Sequence, residues 1–530
     1  MPSWFFNSFR EVCNLRKSEP KKEIPDEMGL VRTGMLDDRR EFWLVAFFLG
    51  LFLVFNICTA TAYPFPDVDE CMIAEPAINF VHGKGFDVRF SEILAMYSFL
   101  LVPWIKVFGA SLRSIRSANI TCATTALLVL WLAVKRLGLI PQAIWRVLLL
   151  SLLAAEFGMI FAYRTGRYDG FGCLLISVVM LTMSVRAKGK RLFALFCVCL
   201  FLPWAGPQYL VSLFAAGIVL CILFRLRYWM EIAASFLASA LGAIGFLSMV
   251  YISGRLKSYR DFVSIQQRGA VFFSELIKHG KLIHHNFLPK DFSLPFLIVG
   301  ALIMFASLRR KQPTLQYSSV CFGLLYCVVL SSLLISVAKF PSYYSYLIVI
   351  PISVAIVSGL SVCEFGRAKF AAVALCLMSI LAGAGANAVA YASDARDHDY
   401  RLIEGFAAES VRGTDIAYVD AEVYLATRQL AEDAYFPNPD LQIISKMSQK
   451  QKESITLLVI QPSWNRDTTQ SLGGTWQETG QELSPNGHSV FGNNNLGFIS
   501  WTLNDLKVLR RSTDSDPQIL AGSRGRSQNK

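Results

Sequence analysis

The sequence predicts an all-α polytopic membrane bundle of about eleven transmembrane helices, followed by a small soluble α/β domain. Three observations carry this. The apolar residues are abundant and clustered, Lys and Arg recur on alternate connections, and the pattern changes character after residue 392. The 530 residues are 54% hydrophobic and 17% charged, with a mean hydropathy of +0.43. Soluble chains of this length rarely show that balance.

Runs such as FWLVAFFLGLFLVFNICTATA (42–62) and FAAVALCLMSILAGAGANAVAYA (370–392) reach the about 20 apolar residues that cross a bilayer. The first follows polar sequence with KK and RR pairs and no small-residue cleavage site, which reads as a retained helix rather than a signal peptide. With these two as the first and the last (42–62 and 370–391), spans are expected between them at 118–134, 147–163, 170–185, 192–204, 207–224, 230–252, 293–308, 316–338 and 345–363. The fifth and sixth are short and share the break PWAGPQ. Residues 92–109 are apolar but interrupted by Pro103 and Lys106, and they read as an interfacial or re-entrant piece.

The formal net charge is +12. In a soluble protein this would suggest nucleic acid, but here much of the excess lies in short turns between apolar runs. KRLGLIPQAIWR (135–146), RAKGKR (186–191), RLR (225–227), RRK (309–311) and GRAK (366–369) all fall on the side of the basic N-terminal tail, 1–41. Basic turns mark the cytoplasmic side. The charge therefore sets topology, nucleic acid is excluded as a partner, and residues after 392 are expected outside a cell inner membrane. All six histidines fall on that outer side. Most of the twelve cysteines lie within apolar runs, with no CxxC spacing, and read as small buried hydrophobes.

After the transmembrane domain (42–392), the apolar runs shorten. DIAYVD (415–420), SITLLVIQP (454–462) and FISWTLNDLKVL (498–509) have strand length, and AEVYLATRQLAE (421–432) is helical. This predicts an extracytoplasmic α/β domain over 393–512 and a disordered tail over 513–530.

Chemistry is expected on the outer loops. PFPDVDE (64–70) places Asp67, Asp69 and Glu70 just beyond the first span. Carboxylates at a membrane boundary must be hydrated, paired or put to work. An ordinary solvated turn, a general base and a divalent ion, Mg or Mn, held by Asp67 and Asp69 all fit the pattern. YRTGRYDGF (163–171) packs Arg164, Arg167 and Asp169 between two spans. The arginine fork suits phosphate, and an Arg–Asp pair can equally fasten a turn. VAKFPSYYSYLIVIP (337–351) adds Lys339, Tyr343, Tyr344 and Tyr346; interfacial aromatics also serve as belt residues. The loop 253–292 is basic and amphipathic, as a surface helix or a lid over an anionic headgroup would be. Glu156 lies within the third expected span, where a carboxylate is a functional candidate.

DVDECMIAEPAINFVHGKGF (67–86), LVPWIKVFGASLRSIRSANI (101–120), RTGRYD (164–169) and KFPSYYSYLIVIP (339–351) occur in that order. Together they resemble the GT-C membrane glycosyltransferases, in particular the branch of protein O-mannosyltransferases and lipid A aminoarabinose transferases. The resemblance covers roughly 45–365. It implies a hexosyl or pentosyl transferase that draws sugar from a polyprenyl-phosphate carrier. Asp69 would be the acid/base with Glu70 its neighbour, Arg164, Arg167 and Lys339 would meet the carrier phosphate, and Asp67, Asp169, Tyr343 and Tyr344 would support them. The usual PP-L-Y-Y segment is replaced by EILAMYSFLLVPW (92–104), so no acceptor (glycan, lipid or protein) follows. No cofactor is required by this reading beyond the open question of a divalent metal. A transporter is the alternative, but transporters show repeats and charges near the midplane, whereas nearly every charge here lies in loops.

Overall fold

The computed structural model describes residues 38–62, 68–85, 96–252, 256, 260, 293–309, 314–336, 344–397, 399–436, 443–484 and 505–512. Both chain ends, nearly all of the 253–292 loop, and Asp67, Lys339 and Tyr343 lie outside them. The helices that matter below are α1 (Asp38–Cys58), α2 (Val68–Val81), α3 (Met96–Phe108), α4 (Leu112–Arg136), α5 (Ala143–Ala155), α6 (Phe157–Arg164), α7 (Asp169–Thr182), α8 (Lys188–Ala205), α9 (Pro207–Phe224), α10 (Trp229–Ile252), α11 (Leu294–Leu308), α12 (Leu315–Ser336), α13 (Tyr346–Val362) and α14 (Arg367–Asp397).

Six helical stretches are long and apolar enough to cross a membrane: Arg39–Cys58, Leu112–Arg136, Pro207–Phe224, Trp229–Ile252, Leu315–Leu334 and Arg367–Val389. The pair α5–α6, bent by 63°, makes a seventh. Four others are apolar but shorter: Tyr97–Phe108, Asp169–Thr182, Leu294–Leu308 and Tyr346–Val362. Among the described residues, six or seven of the eleven expected spans are thus long and apolar enough to cross by themselves. The remaining expected spans do form helices, but most fall short of the about 20 residues a straight crossing needs. In α8 the first turn carries Lys188, Lys190 and Arg191, which leaves too little apolar length.

α4 packs along α7, α8 along α10, and α12 along α13, with α13 buried almost throughout. α1 instead exposes Phe42, Trp43, Leu44, Phe47, Leu51 and Phe55, an apolar face suited to lipid. The piece expected to be interfacial or re-entrant contains the short helix α3, which packs against α2, where the Ser98 hydroxyl donates to the Ile73 carbonyl at 2.8 Å. The break between α8 and α9 falls at Gly206, whose φ of +147° is costly for any other residue.

One end of the bundle is tied by a buried carboxylate. Glu41, near the start of α1, accepts from Trp131 Nε1 at 2.8 Å, from Arg146 Nε and Nη2 at 2.6 Å each, and from Lys135 Nζ at 3.2 Å. The turn 137–142 is closed by the same Arg146, which donates to the Ile140 and Pro141 carbonyls at 2.7 Å each. At another basic turn Arg191 pairs with Glu231 at 2.6 Å.

The C-terminal segment builds a five-stranded sheet of order β2-β1-β3-β5-β4 from β1 (Ile416–Val419), β2 (Asp433–Tyr435), β3 (Leu457–Ile460), β4 (Trp476–Leu483) and β5 (Leu506–Arg511). β1 runs parallel to β2 and β3, while β5 is antiparallel to β3 and β4. β2 and β4 were not expected from the sequence, and 498–504 lies outside the described residues. The helices α15 (Tyr400–Ser410) and α16 (Ala421–Leu430) connect the sheet to the bundle. α16 packs on α2: Cys71 donates to the Ala421 carbonyl at 3.4 Å, and Arg428 Nη2 to Asn79 Oδ1 at 3.3 Å. Lys84 pairs with Asp433 at 3.3 Å. The backbone N–H of Tyr400 reaches the Thr61 carbonyl at 3.1 Å. Burial, with Arg428 and Lys84 nearby, pushes the His82 pKa down. The domain therefore sits directly on the helix that carries Asp69 and Glu70.

Candidate active site

Asp69 and Glu70 open the first turn of α2, where the helix dipole favours negative charge. Neighbouring residues on a helix point about 100° apart, so the two acids meet different surroundings. Glu70 is fully buried and receives both arms of Arg116, at 2.9 Å to Oε1 and 2.8 Å to Oε2. Gly166 donates its backbone N–H to the same carboxylate. The third arm of Arg116 reaches the Ala60 carbonyl at 2.7 Å. One buried ion pair thus joins the end of α1, the start of α2, α4 and the turn after α6. Such a pair is tolerated only while both charges stay satisfied.

The RTGRYDG turn is shaped by Asn119, one turn beyond Arg116 on α4. Its amide donates to the carbonyls of Ala162, Tyr163 and Thr165 at 2.8, 3.3 and 2.7 Å, and its oxygen accepts from the Gly170 N–H at 2.8 Å. A Cβ at Gly170 would stand 2.6 Å from the Asn119 backbone carbonyl, and one at Gly166 would stand 2.6 Å from the Ile115 side chain. Both glycines are required by close approach rather than by turn angles.

The two arginines of this turn point apart. Arg164, fully buried, donates to Asn56 Oδ1 at 2.7 Å and Thr59 Oγ1 at 2.9 Å, and to the Thr59 carbonyl, fastening α6 to the end of α1. Arg167 pairs with Asp69 at 2.9 Å and with Asp169 at 3.2 Å. In that trio the side chains of Arg167 and Asp169 are each 2% exposed and that of Asp69 is 37% exposed. Asp69 is therefore the solvent-facing end of an otherwise buried charge cluster. Asp169 is held from behind by the Tyr346 hydroxyl at 2.8 Å, which in turn lies 3.1 Å from the Tyr209 hydroxyl. Tyr344 is buried beside it, ring edge toward Tyr346 at 6.4 Å.

Tyr209 also lines an apolar cavity of about 330 Å³ between α7, α8, α9, α10, α12 and α13. Its walls include Val179, Leu202, Leu213, Phe236 and Val354, and it continues along α9 as far as Phe224. Fifteen residues of helix separate Tyr209 from Phe224, about 22 Å at 1.5 Å per residue.

The structure brings Asp69, Arg167 and Asp169 together, with Glu70 and Arg164 flanking them in separate joints. Asp67, Lys339 and Tyr343 lie outside the described residues. Glu156 does not sit inside a straight helix. It occupies the α5–α6 break, where its carboxylate accepts the Met159 N–H at 2.9 Å and the Ser293 hydroxyl at 2.8 Å. This is the work of an N-cap, which explains a buried carboxylate at a 63° bend. Among the described residues no group of three or more His, Cys, Asp or Glu is placed to hold a metal ion. Sequence reasoning gave no role to Arg116, Asn119 or Tyr209. The first two carried a usable signal: Arg and Asn spaced i, i+3 on a membrane helix share one face.

No protein-family profile matches the sequence, and no curated protein matches it. Among solved structures, the chain is similar to the crystal structure of ArnT from Cupriavidus metallidurans bound to undecaprenyl phosphate. The TM-score is 0.55 at 13% identity, over 90% of this chain and 99% of that one. The apo structure of the same protein aligns with a TM-score of 0.43 at 12% identity, over 88% and 98% of the two chains. ArnT is a lipid A aminoarabinose transferase and a GT-C glycosyltransferase. At this identity the likeness is one of fold, and it extends over nearly the whole length of both chains: this chain shares the fold of that ArnT structure.

Proposed function

We propose that the protein is a membrane glycosyltransferase that moves a sugar from a polyprenyl-phosphate carrier to an acceptor hydroxyl. The observation that carries this reading is the placement of one exposed carboxylate, Asp69, against a buried arginine, Arg167, next to an apolar cavity bounded by Tyr209. The likeness to a fold crystallised with undecaprenyl phosphate supports it. In this reading the carrier tail lies along the cavity and its phosphate meets Arg167.

The chemistry is a single displacement. Asp69 takes the proton of the acceptor hydroxyl as its oxygen attacks the anomeric carbon. The bond from that carbon to the phosphate oxygen breaks, and its electron pair leaves with the phosphate. The anomeric centre inverts. Arg167 stabilises the departing charge, and the phosphate needs no proton to leave. Lys339 is assigned to the same phosphate by its place in the sequence pattern. Glu70 and Arg164 act one step back: each fixes the backbone that carries a working side chain. Asp67 and Asp69 remain the candidate ligands should a divalent ion take part.

The basic turns support a cytoplasmic N-terminal tail (1–41), followed in this reading by the transferase domain (42–392), the α/β domain (393–512) and the tail (513–530). The α/β domain would then share the extracytoplasmic face of an inner membrane with Asp69, in keeping with its contacts to α2. Mass spectrometry of lipid-linked sugars in a strain lacking the gene tests the reading. Accumulation of one polyprenyl-phosphate sugar is expected and would name the donor; an unchanged carrier-lipid profile contradicts it.

A further inference from the structure

We propose that Tyr346 is a positioning residue for the donor phosphate, acting through Asp169 on Arg167; this rests on the function proposed above. The contacts form one continuous chain from the apolar cavity to solvent. Tyr209 meets Tyr346 at 3.1 Å, Tyr346 meets Asp169 at 2.8 Å, Asp169 meets Arg167 at 3.2 Å, and Arg167 meets Asp69 at 2.9 Å. Proton counting fixes the direction. Tyr346 has a single hydroxyl proton and donates it in a hydrogen bond to the Asp169 carboxylate, so Tyr209 is the donor in the tyrosine pair, its hydroxyl lying also 3.4 Å from the Asp169 backbone carbonyl. Both tyrosines are 1% exposed, which makes an unmet hydroxyl costly.

The arrangement matters because Arg167 is shared. With no phosphate present, its guanidinium divides between exposed Asp69 and buried Asp169. A phosphate arriving at the solvent side competes with Asp69 for the same arm. Asp69 is then released to accept a proton, and Asp169 becomes the contact that keeps the guanidinium in register. Asp169 can do this only if its own carboxylate does not turn, and its second oxygen is held by Tyr346. The fold makes room for the device: a Cβ at Gly172, one turn into α7, would stand 1.8 Å from the Tyr209 ring.

The test uses the full-length protein in detergent and undecaprenyl phosphate as probe, with undecaprenol as the uncharged control. Tyr346→Phe removes one oxygen and keeps the ring. It should weaken undecaprenyl phosphate binding about ten- to hundredfold, the scale of a hydrogen bond to a charged group, and leave undecaprenol binding unchanged. Tyr209→Phe, one step further back, should weaken it less. Tyr163→Phe removes a comparable buried hydroxyl, bonded to the Ala154 carbonyl at 2.7 Å, and should lower thermal stability without changing phosphate binding. Wild-type affinity in Tyr346→Phe, or an equal loss in Tyr163→Phe, overturns the positioning role while leaving the glycosyltransferase reading intact. A wild-type protein that does not prefer the phosphate to the alcohol overturns both.

Discussion

The two ends of the bundle each bury a charged joint, and the joints differ in one respect. Around Glu41 the partners Trp131, Arg146 and Lys135 converge on a carboxylate that is 2% exposed. Around Glu70 and Arg116 the pairing is just as closed. Beside the latter, however, stands a second cluster in which Asp69 is 37% exposed while its partner Arg167 is buried. Burial of charge alone therefore does not mark chemistry here. Closed joints hold helices in place, and the cluster left open on one side can exchange partners.

The comparison is most directly broken by removing one partner from a closed joint. Arg116→Ala strands Glu70 without solvent, and breaking a buried pair from one side costs about 3–5 kcal/mol. We expect the variant to accumulate poorly and to unfold at much lower temperature in detergent. Near-normal stability would mean that Glu70 is not the tie described. Glu41→Gln should also lower thermal stability. Because this joint lies at the other end of α1 from the site, the protein that does fold should transfer sugar at the wild-type rate; a lost rate in folded protein would contradict the division of labour between the ends.

The next effect sharpens the contrast between the two arginines of one turn. Arg164→Ala should act on stability, since its partners are Asn56 and Thr59 of α1. Arg167→Ala should act on donor use, with Lys restoring it only in part because the planar fork is lost. Measuring thermal stability and KM for the carrier-linked sugar on both variants separates them. Equal effects of the two substitutions on KM would erase the distinction.

The smallest effect belongs to the domain joint. Lys84→Ala breaks a pair with Asp433 in which Lys84 is 38% exposed, and screened pairs of this kind contribute about 0–1 kcal/mol. Little change in thermal stability is expected. A large loss would show that the domain holds α2 mainly through charge rather than through the buried contacts of Cys71, Asn79 and Arg428.

These contrasts were only partly legible in the sequence. Hydropathy located the helices, because the bilayer demands long apolar runs. Its eleven expected spans compare with six or seven helices among the described residues that are long and apolar enough to cross by themselves, and a helix such as α7, Asp169–Thr182, is apolar at only 14 residues. The turn RTGRYDG was recognisable by its charge, but the different fates of Arg164 and Arg167 were not: they depend on α1 and α2, distant in sequence. Asp69 and Glu70 are adjacent letters with separate partners because a helix turns about 100° per residue. In the α/β domain the buried strands β1 and β3 announce themselves by apolar runs. β4, WQETGQEL, is a mostly exposed edge strand with little apolar signal.

In the proposed mechanism Asp69 is the base. Its direct test is transfer by purified Asp69→Asn protein, with carrier binding and thermal stability measured on the same sample. The amide keeps the shape of the carboxylate but cannot take the acceptor's proton at neutral pH. Loss of a positioned base lowers the rate by about 10²–10⁴, and that loss is predicted with the fold and carrier binding retained. Transfer at the wild-type rate would contradict the account.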